Sequence, residues 1–104
     1  MKLVLAVFAP FKLDAIKQAL HTAGAHGITI TEVSRWSRRA SGEEKQVPCV
    51  KLETVVHDDL ADRVVAEILR AARDGNPVDG QILVTTVAAA LGIRSGMIDE
   101  AAIT

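Results

Sequence analysis

Two segments near the end of the chain hold residue types that suit an anion. The first runs Asp74-Gly75-Asn76-Pro77-Val78-Asp79-Gly80-Gln81 and passes into the apolar stretch Ile82-Leu83-Val84. The second, Ala90-Leu91-Gly92-Ile93-Arg94-Ser95-Gly96, carries a lone arginine among small and apolar residues. Glycine and its neighbours can turn successive backbone N–H groups toward one point, and a guanidinium alongside completes a cradle for phosphate or another oxyanion. The plain alternative is two turns, since Asp-Gly and Asn-Pro are ordinary turn dipeptides. On these residues alone both readings stand.

A second basic group, Arg35, Arg38 and Arg39, surrounds Trp36 and Ser37. It reads either as the solvated end of a strand or as an oxyanion pocket, with Arg38 serving one ligand and Arg39, or Arg35 on the other strand face, a second small anion. Trp36 suits packing at a subunit interface or stacking on a base. His21, His26 and His57 are not at metal-ligand spacing, so no metal is expected. Cys49, the single cysteine, excludes an internal disulfide and reads as a small apolar residue in or beside a strand. Asp14 and the pair Asp58-Asp59 suit helix N-termini, and Glu43-Glu44 reads as a solvated loop. Nothing supplies a poised general base beside a metal site, so an enzyme is not expected and no catalytic residue is assigned.

A length of 104 residues predicts one domain spanning 1–104. Apolar residues make up 49% and aromatics 3%, so Val, Leu, Ile and Ala must build the core. The net charge of −1, with acids and bases interspersed, gives no electrostatic case for nucleic acid or an anionic membrane. No apolar run approaches the ~20 residues of a membrane span, and the short apolar N-terminal run does not read as a signal peptide. The expectation is a cytoplasmic protein without membrane insertion.

Lys2–Phe8 reads as a buried strand that Pro10 breaks. Leu13, Ile16 and Leu20 recur at helical spacing over residues 11–23, which Gly24 and Gly27 close. Residues 28–33 alternate as a half-buried strand should, residues 37–46 read as a polar loop, and residues 47–56 form a third strand. His57-Asp58-Asp59 opens a second helix with Leu60, Val64, Ile68 and Leu69 facing inward, Gly75 ends it, and residues 81–87 form the fourth strand. The order β-α-β-β-α-β predicts an α+β, ferredoxin-like fold: a four-stranded antiparallel sheet with both helices on one face. The opposite face then has no cover within the chain, which predicts an oligomer.

With these elements placed, residues 9–14 (Ala-Pro-Phe-Lys-Leu-Asp), 27–33 (Gly-Ile-Thr-Ile-Thr-Glu-Val) and 50–56 (Val-Lys-Leu-Glu-Thr-Val-Val) resemble the PII signal-transduction family. So do residues 79–84, 93–96 and 99–103, in the same order and at near-constant spacing across almost the whole chain. The resemblance implies a homotrimer binding adenine nucleotide (ADP, AMP or ATP) in clefts between subunits, and a loop between the second and third strands that engages partners. It places the adenine near Thr29 and the strand around Glu53 to Val55. The phosphates would lie against Ser37 and Arg38, the loop Val78, Asp79, Gly80 and Gln81, and Arg94 of a neighbouring subunit.

The departures from the family pattern carry information too. The loop between strands two and three is short, and the chain has no tyrosine, so the residue that some members have uridylylated is absent. Arg39 stands where the family has a glutamine that helps hold Mg and 2-oxoglutarate, and Cys49 falls where it has the lysine for the 2-oxoglutarate carboxylate. Gln81 replaces a phosphate-binding lysine, Val78 a glycine, and Gly92 the first arginine of a C-terminal pair. Fewer cations favour ADP or AMP over ATP. Arg35 and Arg39 become candidates for a second anion such as bicarbonate, because divergent PII-like proteins are linked to inorganic-carbon uptake and carboxysomes. The expected function is a non-catalytic sensor regulating a partner protein (a transporter, an enzyme or a carboxysome-related component). The alternatives are a trimeric scaffold without nucleotide binding and a slow nucleotide hydrolase.

Overall fold

The computed structural model describes residues 1–73 and 80–103. Four strands and two helices follow in the expected order: β1 (Lys2–Phe8), α1 (Leu13–Ala23), β2 (Thr29–Arg38), β3 (Glu44–Val56), α2 (Asp58–Ala72) and β4 (Gln81–Thr86). Single 3-10 turns precede α1 at Pro10–Lys12 and close the chain at Asp99–Ala102. The sheet is ordered β2-β3-β1-β4 with every neighbour antiparallel, and the core that the two helices share lies on one of its faces.

Alternation on the central strands decides which side chains form the core. Val4, Ala6 and Phe8 of β1 face Thr54, Leu52 and Val50 of β3, and all six are buried. Against them pack Ile16, Ala19, Leu20 and Ala23 of α1 and Ala61, Val64, Ile68 and Ala71 of α2, at the three- and four-residue spacing of a helix face. Leu69, expected inward, is 40% exposed because it lies about 100° round the helix from Ile68. Thr54 is the polar residue among these strand positions, and its hydroxyl donates to the Gly27 carbonyl at 2.7 Å, tying the α1–β2 connection to β3. Gly24 ends α1 at φ 97°, the left-handed conformation that favours glycine, and Ala25 N–H donates back to Leu20 O at 2.9 Å. The expected end of α2 at Gly75 lies outside the described residues. The helices do not reach the sheet edges, so Ile30 of β2 and Val84 of β4 stay 40% and 49% exposed and the expected half-burial of β2 is not realised within one chain.

The largest departure from expectation is the region 37–46, read as a loop. Only residues 39–43 turn, and the flanking residues pair from Val33 opposite Cys49 out to Arg38 opposite Glu44. Gly42 takes φ 88°. Gly42 N–H donates to Arg39 O at 2.9 Å and Arg39 N–H to Glu43 O at 2.8 Å, a three-residue hairpin turn that needs a left-handed residue at its last position. Because β1 pairs with β3 only from Val50 onward, the two strands run past the sheet as a free arm. The arm helps give the molecule its 50 × 26 × 20 Å extents. Pro48 sits within the arm opposite Ser34, beyond the last residue that β1 covers.

At the opposite end of the sheet the Met1 ammonium donates to Asp58 Oδ1 at 2.7 Å. That hydrogen bond, with the Coulomb attraction of the same ammonium, holds the Asp58 carboxyl below its usual range. A depressed carboxylate pKa stabilises the fold above the unfolded-state value and loses that contribution as pH falls through the folded value. Asp58→Asn is therefore expected to flatten the acid limb of a Tm-versus-pH curve while leaving the neutral fold intact. Leu52→Ala, which empties a fully buried position, is expected to cost about 2–5 kcal/mol in denaturant unfolding.

Candidate functional site

The face of the sheet turned away from the helices carries the odd-numbered residues of β1 and β3. Thr29 of β2 stands directly opposite Glu53 of β3, with Leu5 and then Leu83 completing that row across β1 and β4. At one end of this face a cleft of about 300 Å³ opens, walled by Thr29, Glu53, Val55 and Leu3 of the sheet, by Gly27, and by Ala90, Ala102 and Ile103 of the C-terminal segment. Three residues expected around a base thus meet in one depression. A hydroxyl, a carboxylate and apolar walls suit a flat body with polar edges. Lys51 Nζ lies 3.6 Å from Glu53 Oε1, so a cation accompanies the carboxylate.

The C-terminal wall is held by its own hairpin. Leu91 bridges to Ile98, Gly92 N–H donates to Met97 O at 2.8 Å, and Asp99, at φ 52°, donates its N–H to Ala90 O at 2.7 Å. Asp99 is among the residue types that tolerate this conformation. Arg94 sits exposed in the turn of this hairpin beside fully exposed Ile93. Gly92, where the family resemblance expects an arginine, would place a Cβ 2.7 Å from Ser95 Oγ, so the turn is closed tightly around it.

The remaining expected residues lie elsewhere. Gly80 precedes β4, and a Cβ there would stand 2.5 Å from the Val7 carbonyl oxygen, a backbone atom that cannot give way, so only glycine fits. Gln81 follows, opposite Val7 on the far edge strand from Thr29. Val78 and Asp79 lie outside the described residues. Ser37 and Arg38 occupy the end of the arm on opposite faces of β2: Ser37 opposite Lys45 shares the Thr29 face, and Arg38 opposite Glu44 has the other. Nine residue-to-residue steps along the strand separate Thr29 from Arg38, roughly 30 Å of extended chain. One copy of the chain does not bring them together.

Neither arm-tip arginine is a free cation. Arg38 is ion-paired with Glu44, and Arg39 Nη1 lies 4.0 Å from Glu43 Oε2. Arg35 stands opposite Val47 on the Thr29 face, on the other side of the arm from Arg38. Glu43 lies in the turn and Glu44 opens β3; both stay exposed, as the solvated-loop reading expects, and each also pairs with an arginine across the hairpin. The signal was present: in Arg-Arg-Ala-Ser-Gly-Glu-Glu two bases and two acids flank a three-residue turn, the charge pattern of a closed hairpin. The walls Ala90, Ala102 and Ile103 carried no such signal, since small apolar residues reveal nothing until the chain is folded back. Lys12, buried and 5.6 Å from the Phe11 ring centre, also went unsuspected. Among the described residues no group of three or more His, Cys, Asp or Glu could hold a metal, and no helix is long and apolar enough to cross a membrane.

The family model for nitrogen regulatory protein P-II matches residues 1–97. Nitrogen regulatory protein P-II 1 of Escherichia coli strain K12 is 42% identical over 112 residues, covering 99% of this chain and all of the relative. Nitrogen regulatory protein P-II of Klebsiella oxytoca matches equally, and that of Bradyrhizobium diazoefficiens is 39% identical over 105 residues, 92% of this chain and 94% of its own. The 112 aligned positions exceed the 104 residues of the chain, so the enterobacterial relatives carry positions that it lacks. With a family model matched over residues 1–97 and relatives 42% identical across the whole chain, the chain belongs to the nitrogen regulatory protein P-II family of signalling proteins.

Proposed function

We propose that this chain is a non-catalytic sensor that binds an adenine nucleotide between copies of itself and transmits its occupancy to a partner protein through the β2–β3 arm. The observation that carries the reading is the cleft in which Thr29, Glu53 and Val55 meet. In this reading the base enters that cleft. The phosphates are met by Gly80 and Gln81, by Arg38, and by Arg94 of a neighbouring copy, with Val78, Asp79 and Ser37 completing the contacts. The roughly 30 Å between Thr29 and Arg38 along β2 supports a site assembled from more than one copy. The uncovered sheet face, with Leu83 52% exposed, supports the same conclusion, and a homotrimer is the assembly the family implies.

Gln81 in place of a lysine and Gly92 in place of an arginine leave few cations for a third phosphate, which favours ADP or AMP over ATP. Arg35 and Arg39 are the proposed contacts for a second small anion, bicarbonate being the candidate. The regulated partner is a transporter, an enzyme or a carboxysome-related component, and the setting is the cytoplasm. Ligand binding acts by favouring one arrangement of the arm over another. The pairing of Arg38 and Arg39 with glutamates favours a second reading, a trimeric scaffold that binds no nucleotide.

Calorimetric titration with ATP, ADP and AMP, each with and without 2-oxoglutarate or bicarbonate, separates the two readings. Tight ADP or AMP binding, tuned by bicarbonate, is expected of the sensor, and the scaffold gives no heat with any nucleotide. Arg94→Ala is expected to abolish measurable nucleotide binding while the oligomer, followed by light scattering, is unchanged. A lost arginine–phosphate contact corresponds to about 1.5–3 kcal/mol, and undiminished affinity overturns the role of Arg94. Arg39→Gln is expected to spare nucleotide affinity and alter the bicarbonate response; an unaltered response removes Arg39 from the second-anion site.

A further inference from the structure

One face of the arm carries a continuous row of partnered side chains at alternate positions: Ser34, Trp36 and Arg38 on β2, Glu44 and Gln46 on β3. Gln46 Nε2 donates to Ser34 Oγ at 2.9 Å. The Arg38 guanidinium carbon lies 5.6 Å from the centre of the Trp36 ring, and Arg38 Nη2 donates to Glu44 Oε1. This ion pair is the last rung on its face before the three-residue turn. Resting on the nucleotide reading above, we propose that it is a ligand-operated latch: Glu44 occupies Arg38 in the free protein, and a nucleotide phosphate takes Arg38 away from both Glu44 and Trp36.

Magnitudes favour the exchange. The Arg38 and Glu44 side chains are 59% and 51% exposed, so the pair is screened by water and weakly held. A phosphate offers more charge than a single carboxylate and accepts two parallel guanidinium bonds. A phosphate within reach of Arg38 therefore displaces Glu44. Once Arg38 leaves, Glu44 loses its partner, Trp36 loses the cation over its ring, and of the tip's two ion pairs Arg39–Glu43 remains, beside the backbone hydrogen bonds of the turn. Glu44 is thus a positioning residue that lowers nucleotide affinity and makes the tip conformation depend on occupancy.

Trp36 is the single tryptophan and the chain has no tyrosine, so its emission reports on the latch without labelling. Wild type, Glu44→Gln, Arg38→Ala and the double variant are titrated with ADP at low salt, heat and Trp36 emission being read together. Glu44→Gln is expected to bind ADP about two- to fivefold more tightly, a gain that vanishes in the Arg38→Ala background. Wild-type emission on ADP saturation is expected to move toward that of free Arg38→Ala. ADP heat with equal affinity in wild type and Glu44→Gln and static Trp36 emission overturns the latch and leaves the nucleotide reading standing. No heat with ADP, AMP or ATP in either protein overturns both. Thermal melting of each variant confirms that the compared proteins are folded.

Discussion

The period-two alternation of β3 is the constraint on which the rest of the molecule depends. Val50, Leu52, Thr54 and Val56 enter the core, while Lys51, Glu53 and Val55 face the other way and the last two wall the cleft. A slip of one residue against β1 would exchange the two sets, placing a lysine and a glutamate under the helices and the core residues in the cleft. Core stability and cleft chemistry are therefore fixed by the same register. The hydrogen bond from Thr54 to Gly27 reinforces it by fastening the residue beside Glu53 to the segment that delivers Thr29.

The arm follows from strand length. β3 has thirteen residues and β1 seven, so β3 and β2 continue together where the sheet has stopped. A long excursion at this point would pay a large ordering entropy each time it took shape. A three-residue turn closed by Gly42 is already shaped, and its two arginine–glutamate rungs on opposite faces define its end. Rearranging such an element means exchanging partners between paired side chains, more than folding and unfolding a segment.

The helices and the central strands were legible in the sequence because burial there is decided by local periodicity. Leu13, Ile16 and Leu20 mark α1, and the apolar run Leu3 to Phe8 marks β1. Leu69 was misplaced because two adjacent leucine-like residues fit a helix stripe about equally well and only the packed partner selects Ile68. The arm was hidden for a different reason: its cross-strand pairs are ionic and polar, so no apolar alternation announces a strand. Thr29, Glu53 and Val55 were legible as a group through family resemblance, and their meeting in one cleft is a consequence of the β2–β3 register. The third wall, formed by Ala90, Ala102 and Ile103, depends on how the C-terminal hairpin returns to the sheet, which no local pattern encodes.

Pro48 has a consequence for how the protein behaves in a crowded cell. A two-stranded ribbon standing clear of its sheet presents open flanks, and such flanks invite strand addition by other chains. Proline has no N–H to offer and is tolerated in a paired strand where its nitrogen faces away from the ladder. At Pro48, just past the point where β1 ceases to cover β3, the uncovered flank lacks a donor that a foreign strand would need. The arm can thus stay extended and exposed with less risk of seeding fibrous self-association.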